Sequence, residues 1–230
     1  MHTLTLTTLV LEKCGLRHFP QLPPTLKRLV LRPIRPFNLD RDPDPNEVTQ
    51  SWENAVNSRT HRLEHLTVQD AHNMSAEFLH FLLDRYSNDS GREQWDIEDP
   101  ESLQTLSLSA ARLWPERRFF GETGLCTSPR LVTKSLTSLN LSSTECTDDD
   151  IETFLTYPTS IQSIDLSSTK ITGASLKMLA DGLPTLRDLK ADDCPGISSR
   201  DAVIYVEKRG IAVSCRTSDH VGSKKVRYRQ

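Results

Sequence analysis

The chain lacks most of what would make it an enzyme of a familiar kind, a membrane protein or a secreted one. No stretch of its 230 residues approaches the roughly eighteen consecutive apolar residues of a membrane-spanning helix. Its start, MHTLTLTTLVLEKCGL, has neither the basic opening nor the small-residue cleavage site of a secretory leader, and it reads as a strand. There is no glycine-rich phosphate loop. The five cysteines (Cys14, Cys126, Cys146, Cys194, Cys215) are odd in number, scattered and without a C-x-x-C pair. That usage fits a reducing compartment, so an intracellular protein of cytoplasm or nucleus is expected. The seven histidines are dispersed; His61 and His65 are four apart, but the second falls in an expected strand, and no tight Cys/His set suggests a metal. Charge of neither sign dominates: the net charge is −3 with 26% charged residues, which points away from nucleic acid and membrane.

What is present is a repeat. Leu136-x-x-Leu139-x-Leu141-x-x-Thr144 becomes Ile161-x-x-Ile164-x-Leu166-x-x-Thr169, then Leu186-x-x-Leu189-x-Ala191-x-x-Cys194, each step 25 residues long. The alternating apolar residues fit a short strand with one buried face. Helix starts follow at Thr147, Thr172 and Ser198; Thr147-x-x-Asp150 and Ser198-x-x-Asp201 have the form of a capping box. The three acids Asp148–Asp150 are explained by that helix start. Apolar stripes Ile151/Phe154/Leu155, Leu176/Leu179/Leu183 and Val203/Val206 have helical spacing. A strand–turn–helix unit cannot bury its own apolar face, whereas a stack of such units can.

These residues resemble the leucine-rich repeat family. The 25-residue period, with Thr or Cys at the position after the turn, is similar to the cysteine-containing, ribonuclease-inhibitor-like type found in F-box/leucine-rich-repeat proteins. The resemblance implies an α/β solenoid: a curved parallel sheet of about seven strands, with helices and loops on the convex side. It also implies a setting, the substrate-recognition part of an F-box-type ubiquitin-ligase adaptor. An F-box is a helical segment ahead of the repeats; this chain starts within a repeat at Leu6 and is expected to carry none, which leaves a stand-alone scaffold or regulatory protein as the other reading.

The template extends back to Leu6-x-x-Leu9, Leu26-x-x-Leu29, Leu63-x-x-Leu66 and Leu103-x-x-Leu106. Strands are expected near 8–12, 28–32, 65–69, 105–109, 138–142, 163–167 and 188–192, with Ile211–Val213 adding a final short one. The solenoid should span 1–215, with insertions at 36–62, 84–101 and 112–134. The connection holding Pro20, Pro23 and Pro24 is too short for a helix and should be extended or turn-like. Residues 45–56 and 73–86 have helical spacing, 87–101 are polar and acidic, and 216–230 form a basic tail with Lys224, Lys225, Arg227 and Arg229. The insertion at 112–134 mixes Trp114, Phe119 and Phe120 with Arg117 and Arg118. Such a mixture either covers the convex side of its repeat or forms a partner-contact loop.

Alternation sends the leucines inward and their neighbours onto the concave face. That face should carry Arg28 and Arg32 at one end, His65, Ser107 and Asn140 in the middle, and Asp165, Asp188, Lys190 and Asp192 at the other. Small hydroxyl residues suit a crowded strand surface and need no ligand, but they also leave room for a partner. The acidic end would receive a basic segment and the arginines an acidic or phosphorylated one. The expectation is a non-enzymatic protein-binding module without catalytic residues, cofactor or metal. Its partner would be a protein, such as a ubiquitin-ligase substrate, rather than a small molecule, a membrane or nucleic acid. Cys14 and Cys194, at the repeat's structural position, read as packed thiols.

Overall fold

The structure, a computed structural model, describes residues 5–16, 22–23, 25–32, 35–36, 63–69, 103–110, 136–156 and 159–216. Ten strands and three helices are formed by these residues. In chain order they are β1 (Thr8–Glu12), β2 (Gly15–Leu16), β3 (Arg28–Arg32), β4 (Arg35–Pro36), β5 (His65–Val68), β6 (Thr105–Ser107), β7 (Ser138–Asn140), α1 (Asp148–Phe154), β8 (Ser163–Asp165), α2 (Gly173–Gly182), β9 (Asp188–Lys190), α3 (Arg200–Glu207) and β10 (Ala212–Ser214). Eight strands make one open sheet in the order β1-β3-β5-β6-β7-β8-β9-β10, parallel at every step, and β2 pairs with β4 in a separate parallel ribbon. The expected α/β class and parallel sheet are therefore present, and the strand at the carboxyl end brings the sheet to eight. The insertions at 36–62, 84–101 and 112–134 lie almost wholly outside the described residues, as do the tail beyond Arg216 and the helices expected at 45–56 and 73–86. No described helix is long and apolar enough to cross a membrane.

The core is the leucine ladder. Leu29, Leu66, Leu106, Leu139, Ile164 and Leu189 are register partners on successive strands and all are buried. Burying each such side chain stabilises the fold by about 1.5–3 kcal/mol relative to leaving it in water. Ile151 and Phe154 of α1, Leu176 and Leu179 of α2 and Val206 of α3 join the same cluster, so the helices cover the leucine side of the sheet. In the short prolyl connection Leu26 N–H donates to the Pro23 carbonyl at 3.0 Å, closing a turn, with Leu22 and Leu26 buried.

Five of the strands are shorter than their spacing predicts. Those at 105, 138, 163 and 188 stop after three residues and that at 65 after four, against an expected five. A left-handed residue recurs at a fixed repeat position just beyond the strands. Lys13, Ala110, Ser143, Ser168 and Asp193 have φ between 52° and 58°. The turn is also bonded to the next repeat. The N–H groups of Ala110, Ser143, Ser168 and Asp193 donate at 2.7–2.8 Å to Ser142, Ser167, Asp192 and Arg216. The residue after the turn then points inward: the hydroxyls of Thr144 and Thr169 donate at 2.6 Å to the carbonyls of Leu141 and Leu166. A small side chain with one donor is what this buried corner accepts, which accounts for Thr and Cys there.

The helix starts behave as expected at Thr147 and shift at Ser198. The Asp150 carboxylate accepts from both the N–H and the hydroxyl of Thr147 at 2.9 Å. The third helix is capped one residue later than the S/T-x-x-D spacing suggests, by Ser199, whose hydroxyl accepts from Asp201 N–H at 3.1 Å. Neighbouring repeats are also stapled through side chains. The Asp148 carboxylate of one repeat accepts from the N–H (2.8 Å) and hydroxyl (2.7 Å) of Thr172 and from the Ser175 hydroxyl of the next. Burial disfavours its charge, yet these donors outweigh burial and hold the carboxyl below its ordinary range. Gly196 lies so close to the preceding repeat that a Cβ there would sit 2.5 Å from the Ile171 carbonyl oxygen.

Candidate functional site

The face opposite the leucines is a grid whose rows are set by register. One row runs Thr8, Arg28, His65, Thr105, Ser138, Ser163, Asp188, Ala212. The next runs Val10, Val30, Thr67, Ser107, Asn140, Asp165, Lys190, Ser214. All of these are at least partly exposed. Arg28 and Asp188 share a row five strands apart, which at a spacing of ~4.8 Å is about 24 Å. So the structure brings Arg28, His65 and Asp188 into one row, Ser107, Asn140, Asp165 and Lys190 into the other, and sets Arg32 and Asp192 one position further along their chains.

These side chains are not equally available. The Asn140 and Asp165 Oδ1 atoms accept from the N–H groups of Ser142 and Ser167 at 2.8 and 3.0 Å, so each ties down its own turn. Asp192 is more heavily used. Its carboxylate accepts from the Ser214 hydroxyl at 2.9 and 3.0 Å and from Arg216 N–H at 2.7 Å, while its own N–H donates to Ser167 at 3.2 Å. It fastens the last strand to the sheet. Arg32 lies 3.8 Å from Glu12, a half-exposed pair. Asp188 and Lys190 stand exposed.

The eighth strand extends the face by Ala212, Ser214 and Arg216, which the repeat template did not include. The alternation Ile211-x-Val213-x-Cys215 was the available signal, but it lacks the leading apolar pair of the other repeats. At the amino-terminal end, Val10 and Val30 make the second row apolar. The contact loop expected at Trp114, Arg117, Arg118, Phe119 and Phe120 lies outside the described residues. An open groove of about 600 Å³ lies at the carboxyl end of the stack, between α3 and β10, lined by Ile197, Arg200, Val203, Val213 and Arg216 among others.

Cys146 and Cys194 are built into the core, whereas Cys14, also expected to be a packed thiol, is only partly buried and donates to the Glu12 carbonyl at 3.2 Å. Cys194 is buried and donates to the Leu166 carbonyl at 3.1 Å, with the Thr169 hydroxyl 3.7 Å away. Burial, then the charges of Asp150 and Asp148, pushes the buried Cys146 thiol far up, so it stays protonated. Cys215 is pushed up as well, by burial first and then by Cys194 and Asp192. Among the described residues no three His, Cys, Asp or Glu side chains come together as a metal ion needs. No protein-family model matches the chain, and no curated protein sequence matches it.

Proposed function

We propose that the chain is a leucine-rich-repeat module that recognises a protein partner on the exposed face of its sheet and performs no catalysis. One observation carries this reading. Eight parallel strands hold their polar residues in two straight rows, with cationic Arg28 at one end and Asp165 and Asp188 near the other. The side chains between them are short, so a partner can lie close to the strands. Opposite charges about 24 Å apart suit a partner surface with an acidic group toward Arg28 and Arg32 and a basic one toward Asp165 and Asp188. Rim charges of this kind set partner choice and on-rate more than affinity.

The setting follows from the resemblance: the recognition part of an F-box-type ubiquitin-ligase adaptor acting on intracellular substrates, within a solenoid spanning 1–215. The test is affinity purification with quantitative mass spectrometry and cross-link mapping. Asp165→Ala/Asp188→Ala and Arg28→Ala variants should each lose a shared set of partners, and cross-links from those partners should map to the grid. The helix-side variant Lys177→Ala should keep them. Partners unchanged by both sheet-face variants would overturn the binding surface. Failure to recover any cullin-ligase subunit would overturn the adaptor setting alone.

A further inference from the structure

Among the described residues no strand pairs with the outer side of β1, and that edge is unlike the strands beside it. Leu9 and Leu11 are only partly buried, whereas their partners Leu29 and Leu31 are fully buried. Leu6 and Val10 are 46% and 49% exposed. The strand is five residues long, contains no proline or bulge of the kind that blunts sheet edges, and has one charge, Glu12, at its end.

The direction of its backbone groups follows from one bond. The Thr7 carbonyl accepts from Arg28 N–H at 3.0 Å, so residue 7 faces β3. Backbone groups alternate sides along a strand, so Thr8, Val10 and Glu12 turn their N–H and C=O groups away from the sheet. A second copy of TLVLE can pair antiparallel about a two-fold axis at Val10. Val10 then faces Val10 and Thr8 faces Glu12, each pair in position to exchange two hydrogen bonds, with the Glu12 carbonyl accepting from the Cys14 thiol on its second lone pair. The buried side matches as well, because Leu9 falls opposite Leu11 in both directions and the leucine layer continues across the axis. Charge fits on the exposed side. Glu12, 3.8 Å from Arg32 of its own copy, faces Thr8 of the other, a small residue whose register partner is Arg28. The carboxylate and guanidinium backbones are then two strand spacings apart, about 10 Å, within the joint reach of the two side chains.

We infer that β1 is a self-complementary edge through which two copies of this chain form a closed, two-fold dimer by antiparallel β1–β1 pairing. Isologous pairing uses the same patch twice and cannot propagate into a filament. This holds whether or not the exposed face takes a partner.

Sedimentation velocity on the full chain should show, at micromolar concentration, a single species of twice the 26.0 kDa chain mass. Val10→Pro removes an outward N–H and no bond to β3, so it should lower the association constant at least tenfold while leaving the far-ultraviolet circular dichroism unchanged. An independent probe is Val10→Cys. Facing residues in a hydrogen-bonded antiparallel pair have Cα atoms about 5.5 Å apart, inside the range a disulfide spans. The two introduced thiols should therefore join to each other under mild oxidation, and Thr8→Cys should not join to itself. A monomeric parent chain would overturn the dimer. So would a concentration-dependent ladder of larger species, or a thiol at position 10 joining only to native cysteines; these would mean head-to-tail or non-specific contact. Should the proline variant unfold, the disulfide position alone decides between these outcomes.

Discussion

The two ends of the sheet share one strand pattern and are held together differently. From Leu136 onward, each repeat is fixed to the next on the helix side. Asp148 receives Thr172 and Ser175, Lys170 pairs with Glu145, and Tyr205 donates to Asp181 at 2.9 and 3.0 Å with Arg209 2.5 Å from the same carboxylate. From Leu6 to Val68 the links among described residues include the backbone ladder, the Thr25 hydroxyl on the Leu6 carbonyl at 2.7 Å, and the pairs Lys27–Glu64 and Arg32–Glu12. The difference teaches that full burial of the leucine layer needs a repeat on each side. Leu166 sits between two repeats and is completely buried, while its equivalent Leu11 sits on the edge and is not.

The sharpest way to break this contrast is truncation at those equivalent positions. Leu166→Ala should cost about 3–5 kcal/mol in urea unfolding, since it empties a fully enclosed site, and Leu11→Ala about 1 kcal/mol. Equal losses would mean that the edge is as well packed as the interior. Gly196→Ala comes next. Its Cβ would meet the Ile171 carbonyl oxygen and open the Thr172–Gly196 bridge, at a cost of about 2 kcal/mol by the same measurement. Asp148→Ala should cost about 1–2 kcal/mol by stranding the donors of Thr172 and Ser175. The sign of its pH dependence follows from the lowered carboxyl pKa. The stabilisation is complete above the ordinary value of 3.8 and is lost as pH falls through the lower folded value. An acid titration of stability should therefore have a steeper limb in the parent than in Asp148→Asn. The smallest effect is a gain: Ser168→Gly should stabilise by up to about 1 kcal/mol, relieving a left-handed backbone at φ 58° against the entropy glycine adds to the unfolded chain.

Much of this was legible in the letters. Spacing alone located the strands, because a period-two alternation repeated every 25 residues has few other physical solutions, and it placed Arg28 and Asp188 on one surface before any register was known. It did not foresee the left-handed turn, because that position is occupied by Lys, Ala, Ser and Asp. Only glycine there would have announced it. The bonds that Asp148 and Asp192 make between repeats could not be read from spacing, for a shared reason. Their donors lie 22 to 27 residues away, and only the stacking of repeats brings them near. Asp148 looked like an ordinary helix-start acid and proves to join two repeats. Asp192 looked like a free acid on the binding face and proves to anchor the last strand.

One consequence follows from where the turns are bonded. Four of the five left-handed residues, Ala110, Ser143, Ser168 and Asp193, donate to a fixed position of the following repeat, so alignment between those repeats is settled strand by strand. The steps from Leu9 to Leu29, Leu66, Leu106 and Leu139 are 20, 37, 40 and 33 residues, yet all these residues are register partners without slippage. Connection length is thus uncoupled from sheet geometry. The helix side acts as a set of sockets, each able to gain or lose a segment, exchange one recognition element for another, or accept a grafted peptide, while the rows on the opposite face keep their order.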